Sequence, residues 1–177
     1  MNQPKSLTPT ELKRLHREWR RSSDARISLI LDGVQKPYNI GSIARSAAAY
    51  KAEHVWLVPP SPKMSDQKVA KTALGCDRLV NWTQVETSDE AVSAAKEAGF
   101  ATVAVELATN ARPIFELDLQ RPICLVVGHE ERGVAKSTLA LVDDVAFIPQ
   151  LGKVGSLNVA HAASIALYEA LRQNARP

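Results

Sequence analysis

From Ile27 onward, short apolar runs alternate with amphipathic stretches, and three of the junctions between them are polar loops that carry glycine. The apolar runs fall at 27–31, 55–58, 79–82, 102–105, 123–127 and 145–148, and helical patterns at 40–50, 66–72, 88–98, 136–142 and 158–172. Strands this short, rich in branched apolar residues and lacking polar alternation, are buried on both faces. The expectation is an α/β fold, a mainly parallel sheet with helices on both faces. Ligands of such sheets bind beyond the carboxyl ends of the strands, where the glycine loops fall. No repeat or linker divides the chain, so it reads as one domain over 27–177 behind a basic helical extension at 1–26.

That extension opens with Thr8-Pro9-Thr10-Glu11, a capping box with proline at the first helical position. The helix it starts carries Leu12, Leu15 and Trp19 on one face and Lys13, Arg14, Arg17, Arg20 and Arg21 around the rest. Net charge is +3, yet residues 1–26 hold seven Lys/Arg against three acids and the remainder fifteen against sixteen, so the positive excess is N-terminal. Two readings stay open: a helix docked by its apolar stripe, or an arm on an RNA backbone. The last helix is similarly ambiguous. Ala160, Ala162, Ala163, Ala166 and Ala170 beside Leu167 and Leu171 suit core packing and suit a symmetric dimer face.

Several chemistries are disfavoured. There is no G-x-G-x-x-G, no P-loop and no G-x-S-x-G elbow. His16, His54, His129 and His161 have no metal-site spacing, and no metal is expected. Cys76 and Cys124 are far apart, and neither a signal peptide nor an apolar run of membrane length is present, so a reducing cytoplasm is expected.

The three loops hold the candidate site. In 39–45, Asn39 reads as the cap of the following helix and Arg45 as a cation near that helix's positive end, which hints at a bound anion. In the second, Gly128-x-Glu130-x-x-Gly133 turns the chain sharply after an apolar strand and offers Glu130 to a ligand. The third runs from Ile148 through Gly152 and Gly155 to Ser156-Leu157-Asn158; its glycines permit close backbone approach, Ile148, Leu151 and Leu157 can sandwich an adenine ring, and Ser156 and Asn158 can cap the last helix.

With these motifs in this order, the sequence resembles the SPOUT class of RNA methyltransferases, in its SpoU/TrmH branch of ribose 2'-O-methyltransferases, over about 27–173. The resemblance implies a C-terminal deep trefoil knot, an exception to the rule that chains avoid knots. It implies S-adenosylmethionine as cofactor, held by Glu106, Leu107, Gly128, Ile148, Gln150, Leu151 and Leu157. It also implies a homodimer with interfacial active sites, inactive as a monomer, in which Asn39, Arg45, Glu130, Ser156 and Asn158 are the functional residues and Arg45 can arrive from the partner. The surroundings of the first motif favour a tRNA guanosine ribose as substrate; ribosomal RNA, or a catalytically silent RNA binder of the same fold, are the alternatives.

Overall fold

The structure, a computed structural model, describes Gln3 and residues 5–175; positions 1, 2, 4, 176 and 177, at the outer ends of the two expected segments, lie outside the described residues. After helix α1 (Pro9–Arg21) the chain forms β1 (Ile27–Asp32), α2 (Pro37–Ala49), β2 (His54–Val58), α3 (Gln67–Ala73), β3 (Asn81–Gln84) and α4 (Ser88–Glu97). It continues through β4 (Ala101–Val105), β5 (Arg112–Pro113), β6 (Ile123–Gly128), α5 (Lys136–Leu139), β7 (Asp144–Phe147) and α6 (Val159–Asn174). The seven strands form one sheet in the order β3-β2-β1-β6-β4-β7-β5. Every pairing is parallel.

The central strands β1 and β6 are buried along their whole length, as their unbroken apolar runs require. Leu29 and Leu31 join the core shared with α2, α3 and α6, whereas Ile30 joins the one under α4 with Val92 and Phe100. Successive side chains thus enter opposite cores. Cys124 belongs to the second core, and burial pushes its thiol pKa up, as for a cysteine packed as a small apolar residue.

Three expectations need correction. The strand expected at 79–82 begins at Asn81, because Leu79 ends a 3-10 turn and is largely exposed; the apolar residues of that run, Leu79 and Val80, precede a strand that is itself polar. The helix expected to reach 142 stops at Leu139. Strand β5 went unforeseen, since two residues carry no periodicity; the Asp144 carboxylate of β7 pairs with Arg112 there.

Helix α1 has the foreseen capping box, with Thr8 and Glu11 bonded reciprocally, but none of its residues is buried. Both sheet faces are already covered by α2, α3 and α6 on one side and α4 and α5 on the other. The stripe of Leu12, Leu15 and Trp19 therefore docks on none of the described residues, and Trp19 stays 55% exposed. In α6 the small residues Ala160, Ala163, Ala166 and Ala170 are buried against the chain's own core. The outward face of α6 is instead His161, Ile165 and Tyr168. No helix among the described residues is long and apolar enough to cross a membrane.

Candidate functional site

At the carboxyl end of β6 the chain makes a tight loop closed by reciprocal backbone hydrogen bonds between His129 and Gly133, 3.0 and 2.8 Å long. Gly133 has φ +66°, the left-handed region that favours glycine, and a β-carbon there would strike the Glu106 carboxylate. A β-carbon on Gly128 would strike the Gly133 backbone, so this position needs glycine because two backbone segments touch. Two carboxylates clamp the loop's exit. Glu106, just past β4, accepts from the Val134 N–H at 2.7 Å, and buried Asp32, ending β1, accepts from the Ala135 N–H at 3.0 Å and from the Ser88 hydroxyl at 2.7 Å.

The loop's own carboxylate reaches the other way. Glu130 accepts from the Lys36 N–H at 2.9 Å, the Gln35 N–H at 3.1 Å and Asn39 Nδ2 at 2.8 Å. Helix α2 starts at Pro37, and its cap residue Lys36 offers no side-chain acceptor, so Glu130 supplies the anion at the positive end of that helix. This corrects the reading of Asn39 as the cap. It lies inside the first turn, 8% exposed, with its side chain free to bridge. Burial works to raise the Glu130 pKa, but the hydrogen bonds from Asn39, Lys36 and Gln35 outweigh it, and the net shift is downward.

Asn158 completes a directed chain. Its Oδ1 caps α6 by accepting from the Ala160 and His161 amides, so its Nδ2 is left to donate to Asn39 Oδ1 at 3.0 Å. Asn39 Nδ2 must then face Glu130. The amide orientations follow from fixed backbone donors at one end and the carboxylate at the other. Because the folded pKa of Glu130 is depressed, its stabilising effect is present above the unfolded value and lost as pH falls through the folded one. The stability gap between wild type and Glu130→Gln is therefore expected to be open at neutral pH and to shrink in acid; denaturant melts across pH 3 to 7 showing a constant gap would contradict an ionised Glu130.

Two cavities flank this relay. The first, about 510 Å³, lies at the strand ends and is lined by Glu106, Leu107, Gly128, Ile148, Gln150 and Leu157, with Glu130 and Ser156 also on its wall. Gln150 Oε1 is buried there without a hydrogen-bond partner among the described residues. A volume of this order suits a small ligand, and an unpaired acceptor fits one that brings donors. Leu151 does not line it; that side chain is wholly exposed, and Gly152 has open space around it. Ser156 makes no hydrogen bond to a described residue and is not part of the relay.

The second cavity, about 790 Å³, opens between α2 and α6 and is lined by Tyr38, Asn39, Ser42, Arg45, Asn158 and His161 among others. Arg45 lies in the body of α2, away from its first turn, which corrects its placement at the positive end of the helix. Its guanidinium is exposed and has no ion pair or hydrogen bond with any described residue, and Glu130 does not hold it. The clamp by Asp32 and the shared hydrogen bond of Ser46 and Ser164 across α2 and α6 had no motif to announce them. Pro37 was the available sign for the true start of α2.

A parallel sheet with a ligand-sized cavity at its strand ends, linked by an ion-braced amide relay to a second cavity bearing a free guanidinium, defines an α/β ligand-binding domain of the strand-end type. The chain belongs to the SpoU rRNA Methylase family, whose model matches residues 26–168. It is 36% identical over 150 residues to the tRNA (guanosine(18)-2'-O)-methyltransferase of Escherichia coli K12, covering 83% of this chain and 63% of that one. The Thermus thermophilus enzyme of the same name is 34% identical over 147 residues, covering 83% and 75%. The solved structure of the SpoU methyltransferase AviRb from Streptomyces viridochromogenes in complex with AdoMet superposes with a TM-score of 0.75 at 30% identity, covering 85% of this chain and 61% of that one. The chain thus spans a little under two thirds of the E. coli relative.

Proposed function

We propose that this protein is a cytoplasmic, S-adenosylmethionine-dependent RNA ribose 2'-O-methyltransferase acting on a tRNA nucleoside, with guanosine favoured. The observation that carries the reading is the relay Asn158–Asn39–Glu130 standing between a ligand-sized strand-end cavity and an unpartnered arginine. The names of the E. coli and T. thermophilus relatives favour tRNA guanosine over ribosomal RNA.

In this reading the strand-end cavity holds the cofactor through Glu106, Leu107, Gly128, Ile148, Gln150 and Leu157, with Leu151 reaching it only if the exposed loop closes. S-adenosylmethionine supplies an electrophilic methyl group when bound. Arg45 binds the phosphate beside the target ribose and stabilises the alkoxide that develops on the 2'-oxygen. A guanidinium keeps its proton in proteins and is not a base. Glu130, ionised and already accepting three hydrogen bonds, braces the site, and the proton of the ribose hydroxyl passes to solvent water in the open second cavity. Asn39 and Asn158 hold the two cavities in register, and Ser156, on the wall of the strand-end cavity, helps to shape the site.

The chain's C-terminal part forms the trefoil knot of the class, supported by the return of α6 from edge-side β7 to pack on α2 and β6. Exposed Leu74, Leu79, Ile165 and Tyr168 support a homodimer, whose partner can contribute Arg45. The basic face of α1, with Lys13, Arg14, Arg17, Arg20 and Arg21, tracks RNA as the extension at 1–26 of a methyltransferase domain at 27–177.

Nucleoside mass spectrometry of tRNA and ribosomal RNA from a strain lacking the gene tests this: one 2'-O-methylated nucleoside disappears from tRNA and returns with the wild-type gene. Loss of none from either RNA, or RNA retention without label transfer by the pure protein at saturating cofactor, favours a silent RNA binder. Arg45→Lys keeps the charge but loses the bidentate fork, and is expected to lower turnover by about 10²-fold with S-adenosylhomocysteine affinity unchanged; near-normal turnover counts against the fork.

A further inference from the structure

Tyr38 is 60% exposed on the wall of the second cavity. Its hydroxyl makes no hydrogen bond with a described residue, and its ring stacks on no other, whereas nearby Tyr50 packs edge-on against Tyr168. A single exposed aromatic is ordinary. This one is not isolated. Tyr38, Ser42, Arg45 and Ala49 all line the cavity, and their spacing along α2 places them in one stripe of the helix surface. Tyr38 and Arg45 are about two helical turns, roughly 10 Å along the helix axis, apart. Asn39 of the relay lies beside that stripe on the same cavity wall.

We infer that Tyr38 is a stacking platform for one unstacked RNA base, gripping the nucleotide whose phosphate Arg45 binds. The inference rests on the proposed RNA reading and adds to it the residue that receives the base. A single-stranded or flipped-out nucleotide presents an apolar face and an anionic phosphate at separate points, the two chemistries this stripe offers. A tyrosine ring accepts any base face, so this contact supplies affinity and position and leaves base identity to other residues. A base seated there leaves its ribose over the cavity floor, where Asn39 and Asn158 meet.

The competing occupant is a second copy of the chain, and the two are separable. Filter binding of the full chain to bulk tRNA from a strain lacking the gene, across a potassium chloride series, is compared for wild type, Tyr38→Ala, Tyr38→Phe and Arg45→Ala. Stacking predicts that Tyr38→Ala weakens binding about 5- to 100-fold with the slope of log affinity against log salt unchanged. Tyr38→Phe stays within about twofold of wild type. Arg45→Ala, losing a phosphate contact, lowers that slope by about 0.7. Wild-type affinity in Tyr38→Ala overturns the platform and leaves the methyltransferase reading standing. So does a loss in Tyr38→Phe equal to that in Tyr38→Ala, or a smaller oligomer by light scattering in Tyr38→Ala. Failure of the wild type itself to bind tRNA or ribosomal RNA removes the RNA reading, and the platform with it.

Discussion

Gly128→Ala is expected to abolish the calorimetric signal of S-adenosylhomocysteine binding and to lower the melting temperature by roughly 2 to 12 °C. The added β-carbon would land on the carbonyl of Gly133 and the nitrogen of Val134, which are backbone atoms and cannot swing aside like the end of a side chain. The loop would have to open. That breaks the paired His129–Gly133 hydrogen bonds and draws Val134 away from Glu106, loosening the wall of the strand-end cavity. Overpacking of this kind costs about 1–3 kcal/mol, and each kcal/mol moves the melting point of a domain this size by about 2–4 °C. Gly152→Ala is the matched control, since a β-carbon there meets nothing and ligand heat and melting temperature should both hold. Wild-type heat in Gly128→Ala would dissociate this loop from the ligand site.

The contrast between those two glycines shows how far the sequence can be read. Both stand in recognisable motifs, and both look like loop glycines permitting close approach. Only the fold reveals that Gly128 touches another backbone segment whereas Gly152 faces solvent. Strands β1 and β6 were legible because burial on both faces leaves an uninterrupted apolar run. β5 was not, and the polar edge strand β3 was read two residues too early, because their register comes from neighbours and not from their own pattern. The candidate site behaved similarly. Asn39, Glu130 and Asn158 could be picked out from their motifs, but a motif carries no direction. The donors that orient them are backbone amides of residues 35, 36, 160 and 161, which have no side-chain signature. For α1 the pattern defined the helix and its cap, yet it could not say that the apolar stripe is left uncovered by the described residues. Burial of a face depends on which surface remains free after everything else has packed.

The direction of the relay makes Asn39→Asp the most revealing substitution at the site. The side chain keeps its shape, and Asn158 Nδ2 can still donate to one oxygen, but the group facing Glu130 Oε1 changes from a donor to a carboxylate. Two carboxylates at that separation cannot both ionise freely, so the pair takes up a proton and one folded pKa rises above its unfolded value of about 4. An acid whose folded pKa is raised contributes stability that is present below the unfolded pKa and is lost as pH rises through the folded one. Glu130 in the wild type behaves oppositely, because its pKa is depressed. Asn39→Asp should therefore be less stable than wild type by roughly 2 to 4 kcal/mol at pH 7, on the scale of like charges about 4 Å apart at an effective dielectric near 20. The deficit should narrow steadily toward pH 4. Methyl transfer at neutral pH should fall with it, because the strained pair pulls Glu130 from the Gln35 and Lys36 amides and loosens the start of the helix that carries Arg45. Chemical denaturation from pH 4 to 8 measures the first effect, and labelled methyl transfer the second. A deficit independent of pH would mean that Asn39 acts by shape alone and that no ionised partner faces it.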